Sequence, residues 1–424
     1  MEVLVESEDL SHAAIRPPAT HRRPKGAPSG SGQVPRTPRV AWRPMTPLAL
    51  RHLASIKDAP GLVVSLYVNL DPTRFALPAA RETEVQAVVD AARAEAREVW
   101  ERLDHDTRQA LDGDLERARG YLLTKLAPDG AGAAAVFVSM QRGLFQAFTL
   151  DHAVPAQGRA GKQPYLRPLF ELAHRPHFAV LAIDRRWAHV LVSRGGGPLH
   201  QVDEIESPTR GHHARSGAEQ ARVQRAVDHD TDQHVKKAAA RLLKVHRARP
   251  LHALVLACAE EIRPLVERRL HADLRPLLLG RVPWDPEQDH PVDLTRAAEP
   301  LLRKRERRQE EAILDRLQLE VGRGTGAVGA DAVLDTLNRK AVETLLLETG
   351  VETAGAVCLA CGWLAAREGE CPVCGQVMEK EQDLVEEMLR RALEQSAEVR
   401  FLRFVPPHPG EPAHLAAVLR IATP

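Results

Sequence analysis

The pattern of apolar and polar positions divides the chain into a tail and three units. Each unit contains segments with the apolar spacing of strands and segments with that of helices. The predicted units span 46–157, 165–293 and 294–424, and each is α/β. Residues 1–44 are rich in Pro, Arg, Ser and Gly without any period, which predicts disorder. A mistaken start, with Met45 as the true first residue, and a short basic RNA-binding arm are alternatives for this tail.

The first unit opens with leucines at helical spacing and continues into a β-rich run. This β-rich run, at 62–68, predicts a buried strand. Residues 81–126 carry two helical segments with a break near 104–106. Two more strands are predicted at 134–138 and 144–150.

The middle unit predicts a β-hairpin followed by a long helix. Its predicted elements are a strand at 178–183, a turn at 184–187, a strand at 188–193, a polar loop at 195–215, a helix at 217–246, a strand at 251–258 and a helix at 260–270.

The third unit begins with a long charged helix and has a cysteine-rich ribbon, 355–380, inserted after its first strand. Its predicted elements are helices at 294–321, 332–337 and 384–392, strands at 342–347 and 399–405, and a closing segment at 414–421. This order predicts an α/β/α sandwich. The fold class of the chain is therefore α/β, in three domains.

The composition indicates which residues build the cores and where the protein is expected to act. Hydrophobic residues make up 44% of the chain and aromatic residues only 4%, so we expect cores of Ala, Val and Leu. The net charge of +1 hides local clusters of Arg and His. No run reaches the roughly 18 apolar residues of a membrane span, and no apolar signal segment follows the N-terminus. Together with the cysteine usage, this predicts a cytoplasmic protein.

Four of the five cysteines form two C-x-x-C knuckles with nine residues between them. The predicted metal ligands are Cys358, Cys361, Cys371 and Cys374. Four thiolates suit tetrahedral zinc and leave no open position for a substrate, so we expect a structural zinc site. A ribbon that keeps its thiols without metal is the alternative. The fifth cysteine, Cys258, lies in an apolar run and is predicted to be a small core residue.

Three other patterns are weaker. Residues 324–329 match G-x-G-x-x-G, but a charged helix precedes them, so we predict a helix-to-helix connection instead of a dinucleotide site. Asp228, Asp230 and Asp232 alternate as in a calcium loop, but the required glycine is missing and alternate residues on a helix do not converge. Asp184 at a strand end is predicted to be a turn residue rather than a nuclease acid.

The segment 209–217 is the best candidate for a working loop, because it is small, basic and leads directly into the long helix. A phosphate backbone would attract such a loop and helix. Ser216 and Glu219 fit a capping box, which explains the start of the helix but not the loop ahead of it. The predicted RNA-binding residues are Arg210, His212, His213, Arg215, Arg222, Arg225, Lys236 and Lys237.

In their order, these parts resemble the archaeo-eukaryotic class-one release factor and Pelota family, in its bacterial branch. The resemblance covers about 46–424. It is carried by Leu53-x-x-Ile56-Lys57 with Gly61 and the strand 64–68, by the strand 179–184, by Gln220-Ala221-Arg222-x-Gln224-Arg225 continuing to His234-Val235-Lys236, and by 342–346 ahead of the four-cysteine ribbon.

The resemblance implies a release-factor-like first domain at the decoding centre, an RNase-H-like middle domain at the peptidyl-transferase centre, and a kink-turn-protein-like third domain that recruits partners. In the family, a Gly-Gly-Gln loop helps water attack the peptidyl-tRNA ester. This chain has no Gly-Gly-Gln and no Asn-Ile-Lys-Ser type codon-reading motif. Alignment on Ala221-Arg222 places 216–220 at the loop, which makes Gly217 and Gln220 the candidate catalytic residues.

The sequence therefore predicts a ribosome-associated, release-factor-like protein that acts on or binds peptidyl-tRNA, for example in the rescue of stalled ribosomes. A peptidyl-tRNA hydrolase-type activity is left open, because the Gly-Gly-Gln is degenerate. An RNA-cleaving nuclease and a non-catalytic RNA-binding scaffold are the alternatives. The expected partners are the ribosome and tRNA or structured RNA, and no membrane.

Overall fold

The computed structural model describes most of the chain beyond the tail. The described residues are 41–56, 61–70, 78–99, 101, 103–125, 131–173, 176–193, 199–207, 217–286, 288–404 and 415–421. Of the predicted disordered tail, 1–44, only the last four residues are described, and Arg43–Pro44 already form a strand. No helix among the described residues is long and apolar enough to cross a membrane.

The first unit is a five-stranded sheet with two long helices on one face. Its elements are β1 (Arg43–Pro44), α1 (Pro47–Ala54), β2 (Val63–Asn69), α2 (Pro78–Val99), α3 (His105–Thr124), β3 (Ala133–Ser139), β4 (Leu144–Leu150) and β5 (Gln157–Gly161). The strand order is β1-β4-β3-β2-β5. The predicted break between the helices is explained by Asp104, whose carboxylate caps α3 by accepting from the Thr107 N–H at 2.7 Å.

The middle unit has the predicted RNase-H-like topology. Its elements are α4 (Arg167–Ala173), β6 (Phe178–Ile183), β7 (Trp187–Ser193), β8 (Leu199–Glu206), α5 (Gly217–Ala248), β9 (Ala253–Ala257), α6 (Arg263–Arg269) and β10 (Leu278–Val282). The strand order is β8-β7-β6-β9-β10, with β7 antiparallel to both neighbours and the β6, β9 and β10 pairs parallel. Helices α5 and α6 cover one face of this sheet.

The third unit is the predicted α/β/α sandwich with an inserted ribbon. Its elements are α7 (Pro291–Gly322), β11 (Gly326–Val328), α8 (Ala330–Asn338), β12 (Val342–Glu348), β13 (Gly355–Val357), β14 (Leu364–Ala365), β15 (Glu379–Glu381), α9 (Val385–Glu394), β16 (Glu398–Leu402) and β17 (Leu415–Leu419). The main sheet runs β11-β17-β12-β16, and the ribbon sheet runs β14-β13-β15. The α/β fold class in several domains is confirmed.

One shared apolar core and one shared helix join the units. Residues of the first sheet, such as Tyr67 and Phe137, share one apolar cluster with α8 and α9 of the third unit, including Val333 and Met388. Helix α7 packs its first half on the middle sheet and its second half, around Leu317, on the third. The predicted boundary at 293/294 therefore falls at the start of a helix that belongs to both units.

Three elements differ from the sequence predictions. The predicted loop at 195–215 contains strand β8, which was missed because only Leu199 of its eight residues is buried. The glycine-rich segment 324–329 is not only a connection, because β11 within it pairs with β17 at the sheet edge. Its outer glycines, Gly324 and Gly329, have φ values of 75° and 86° and make the turns at either end. The first sheet also extends past 157, through β5.

Candidate metal centre and nucleic-acid interface

The two cysteine knuckles bring four sulfur atoms together. The Sγ atoms of Cys358, Cys361, Cys371 and Cys374 all lie within 4.8 Å of one another. Sulfurs from opposite knuckles face each other, with 3.4 Å between Cys358 and Cys374 and 3.5 Å between Cys361 and Cys371. Among the described residues this is the only group of histidine, cysteine or acidic side chains arranged to hold a metal ion.

Backbone hydrogen bonds shape each knuckle in the same way. The Gly362 N–H donates to the Cys358 carbonyl at 2.6 Å, and the Gly375 N–H donates to the Cys371 carbonyl at 2.9 Å. Both glycines have positive φ values, 77° and 72°, that other residues rarely adopt. Backbone N–H groups, above all that of Cys361, lower the pKa of Cys358 to about 6. The pKa of Cys371 is lowered as well, so the first cysteine of each knuckle favours the thiolate, the form that binds metal. Burial and the neighbouring sulfur atoms raise the pKa values of the second cysteines, Cys361 and Cys374.

The ribbon is fastened to the third unit at two places. Asn338 at the end of α8 pairs with Leu364 in both directions, accepting from its N–H at 3.0 Å and donating to its carbonyl at 2.8 Å. Arg391 of α9 donates to the carbonyl of Gly362, in the first knuckle. A metal ion held here would be part of the scaffold of the third unit, since four protein ligands leave no open position.

The long helix α5 carries the second candidate site at its start. Its backbone is helical from Gly217, so Gln220 lies in the first turn, where N–H groups have no partner within the helix. For 217–223 only the backbone is described. The predicted loop residues Arg210, His212, His213 and Arg215, and the capping residue Ser216, lie outside the described residues, so their predicted roles stay predictions.

The second half of α5 presents a basic face to solvent. From Lys236 to the end of the helix no acidic residue occurs. Val235, Ala238 and Leu242 are buried on the sheet side, which places the basic residues on the opposite side. The exposed basic residues are Lys236, Lys237, Arg241, Lys244 and Arg247. Arg241 pairs with Asp203 at 3.6 Å, and within the described part of the chain no ion pair holds the other four.

The described part of the first half of α5 has no buried side chain. Its described side chains from Gln224 to Gln233 are exposed or half-buried, and the first buried one is His234. Arg225 is exposed, whereas the side chain of Arg222 lies outside the described part. The 17 helical residues ahead of His234 span roughly 25 Å. The helix therefore holds Gly217 and Gln220 well away from the basic face.

The acidic residues singled out in the sequence do not form a site. Asp184 accepts hydrogen bonds from the N–H groups of Arg186, at 2.7 Å, and Trp187, at 2.5 Å, as expected of a turn residue. Asp232 binds Arg269 through both oxygens, at 2.8 and 2.7 Å. Cys258 is buried, and burial raises its pKa to about 11, so it is an unreactive core thiol.

A comparison with protein families finds a match over the middle unit. Residues 164–303 match the bacterial archaeo-eukaryotic release factor family 10. No curated protein matches the sequence.

Three similar solved structures are archaeal. The translation termination factor aRF1 is 17% identical, over 89% of this chain and 99% of that one, with a TM-score of 0.24. Pelota of Archaeoglobus fulgidus is 14% identical, over 89% and 93%, with a TM-score of 0.33. A chain from a model of ribosome-bound archaeal Pelota and ABCE1 is 15% identical, over 90% and 96%, with a TM-score of 0.38. TM-scores this low establish neither a shared arrangement nor a shared activity. The family match covers about a third of the chain, and over residues 164–303 it confirms the resemblance to the bacterial branch of the archaeo-eukaryotic release factor family.

Proposed function

We propose that this chain is a ribosome-associated, release-factor-like protein that binds peptidyl-tRNA through its middle domain, for example on stalled ribosomes. The observation that carries the proposal is helix α5 of the family-matched domain. This helix combines an exposed basic face around Lys236 and Lys237 with a first half that has no buried side chain among its described residues, 224–233, and that begins at Gly217 and Gln220.

In this proposal, the attraction between basic side chains and RNA phosphates provides the affinity. Lysine and arginine side chains that neutralise phosphates release condensed counterions, so binding is strong at low salt and falls steeply as salt rises. Lys236, Lys237, Lys244 and Arg247 suit this role because no described acidic side chain pairs with them. The N-terminus of α5 adds partial positive charge and free N–H groups near Gln220, which favour an anionic group such as the tRNA end.

Binding is favoured over ester hydrolysis at this site. In the proposed hydrolytic role, Gln220 would orient a water molecule from a flexible loop apex, but its backbone here is already helical. A nuclease is not supported by the described residues, since Asp184 and Asp232 are each engaged in structural contacts. We further propose that the four-cysteine site holds one structural zinc ion, because four thiolates in a closed tetrahedron are typical of zinc.

Sedimentation with ribosomes tests the binding. We expect wild-type protein to pellet with ribosomes at about 50 mM salt and to be released by about 300 mM. Lys236→Glu/Lys237→Glu should weaken pelleting by about tenfold or more at low salt, because two attractive charges become repulsive. Lys125→Glu, an exposed lysine at the end of α3 in the first unit, is the control for altered charge. Equal pelleting of the double variant and the wild type would contradict the assignment of this face.

A release assay separates binding from chemistry. Stalled ribosomes carrying labelled peptidyl-tRNA are incubated with the protein, and free peptide, cut tRNA and intact peptidyl-tRNA are quantified. We expect intact peptidyl-tRNA together with retained protein. Free peptide that disappears in Gln220→Ala would instead establish hydrolysis, and cut tRNA would establish the nuclease.

A further inference from the structure

The segment that leads from the first unit to the middle unit, 162–167, is held by side chains of the third unit. It runs from the end of β5 into α4. Its partners in the third unit all come from 379–390, which spans the last ribbon strand, β15, and most of α9. Strand β2 of the first unit holds the middle of the segment as well, because the Tyr165 N–H donates to the Ser65 hydroxyl at 3.0 Å and the Tyr67 hydroxyl donates to the Tyr165 carbonyl at 2.5 Å. We call 379–390 the clasp and 162–167 the linker.

Four side chains of the clasp hold the linker. Glu379 pairs with Lys162 at 2.9 Å, and Asp383 pairs with Arg167 at 3.3 Å. The Glu386 carboxylate accepts from the N–H of Leu166 at 3.0 Å and of Arg167 at 2.6 Å. Arg390 donates to the carbonyl of Pro164 and, at 3.4 Å, to that of Ala54 at the end of α1.

The inner half of this clasp is largely shielded from water. The side chain of Arg390 is 6% exposed and that of Glu386 21%, whereas Lys162 and Glu379 are about half and a third exposed. Burial raises the pKa of Glu386, although Arg390 and the two backbone N–H groups oppose the rise. Buried charged groups that bind backbone in this way fix one geometry, and removing either partner leaves the other without compensation.

The metal ribbon sets the position of the clasp. Glu379 lies on β15, which pairs only with β13. Asp383 also accepts from the N–H of Thr353, just ahead of β13, at 3.1 Å, and the Leu384 N–H donates to the Thr353 carbonyl at 2.7 Å. Arg391, next to Arg390 on α9, donates to Gly362 in the first knuckle. The same short stretch of chain therefore touches both the metal site and the linker.

We propose that the ribbon and the clasp form a metal-dependent latch, in which an ordered four-thiolate site keeps the linker bound to α9. Loss of the metal frees β15 and the first knuckle, so Glu379, Asp383 and Arg391 lose their fixed positions and the linker loosens. Because the linker leads into the middle unit, the latch regulates the placement of α5. This regulatory role rests on the proposed function, whereas the latch itself does not.

Hydrogen exchange of the full-length protein tests the latch. The purified protein is expected to carry one zinc per chain and to protect the amides of Leu166 and Arg167. After chelation, exchange in the linker peptide should become about tenfold faster or more, together with that in the ribbon, and zinc should restore protection. Strand Val342–Glu348 serves as the internal reference and should keep its slow exchange.

Two variants keep the test independent of metal removal. Glu386→Gln should speed linker exchange with the zinc content unchanged, because it weakens the acceptor of two N–H groups without touching the ribbon. Glu398→Gln, which loses an exposed ion pair with Arg400 on β16, outside the ribbon and the clasp, is the matched control and should change nothing. Linker exchange that stays slow while the metal-free ribbon exchanges fast would overturn the latch. Loss of protection in Val342–Glu348 as well would also overturn it, since the whole third unit would then be unfolding.

The two proposals fail separately. If the wild type does not pellet with ribosomes but its linker responds to zinc, the latch stands and the proposed function is lost. If ribosome binding is intact and the linker ignores zinc, only the latch is lost.

Discussion

Three histidines lie at the contact between the first and middle units, and one of them is expected to make stability depend on pH. The rings of His152 and His177 have centroids 5.5 Å apart, and those of His177 and His252 are 5.6 Å apart and nearly parallel. Arg249 of the middle unit binds Asp151 beside them. Burial, followed by the positive charges of Arg249 and the other two histidines, lowers the pKa of His177 to about 4, while Asp151 opposes this. The contact therefore favours the neutral form of His177.

His177 predicts a loss of stability in mild acid. Its folded pKa lies below that of an unfolded histidine, near 6.5, so the unfolded chain takes up the proton first and stability falls from pH 6.5 towards 4. The ring is partly exposed, so we expect about 1–2 kcal/mol from this residue, less than a fully buried site would give. His177→Gln should flatten the fall in the urea midpoint between pH 6.5 and 4. An unchanged pH profile in this variant would show that the stack does not control acid stability.

At the scale of elements, β5 shows how a sequence fixes the distance between a helix and a strand. A Cβ atom at Gly158 would lie 1.7 Å from the carbonyl oxygen of Val88 on α2, so the helix sits directly against the strand backbone. A Cβ atom at Gly161, on the same strand, would meet nothing closer than 3.7 Å. Only the first glycine is required by packing.

These two glycines give a matched pair of substitutions. Gly158→Ala should lower the free energy of unfolding by about 2–4 kcal/mol, because α2 must move away from the strand. Gly161→Ala should change it by less than about 1 kcal/mol, since the added methyl group has space. Urea unfolding of both variants against the wild type measures the difference. Similar losses in the two variants would show that the close approach of α2 does not matter.

Elements with strong periodicity could be predicted from the sequence, and edge elements could not. The long helix was predicted at 217–246 and found at Gly217–Ala248, because its buried residues recur at helical spacing. Strand β8 was missed because seven of its eight residues reach solvent and give no apolar signal. The four metal ligands could be predicted from the spacing of the cysteines alone. The clasp could not be predicted, because Glu386 and Leu166 are 220 residues apart in the sequence.

At the scale of the whole molecule, the apolar cores connect the three units and include only part of helix α5 among the described side chains. The first and third units share one apolar cluster, and α7 links the third unit to the middle sheet. Among the described side chains of α5, only those of its second half, such as Val235 and Leu242, contribute to the core of the middle unit. The described side chains of its first half, 224–233, are not buried, so the length of this half sets the distance along the helix from the core to Gly217.

For contact between the start of α5 and peptidyl-tRNA, the length of the first half of the helix should therefore matter more than its surface side chains. Deleting 224–230 removes about two turns, shortens the helix by roughly 10 Å and turns its start by only about 20°. No described side chain in this stretch is buried, so stability should change by less than about 1 kcal/mol. A photo-crosslinker at Ala218 should then lose its cross-link to peptidyl-tRNA on stalled ribosomes, while pelleting through Lys236 and Lys237 persists. Replacing the same seven residues with alanine keeps the length and should keep the cross-link. Equal cross-linking by the deletion would show that reach is not what this helix provides, and loss in the alanine variant would show that its side chains bind RNA themselves.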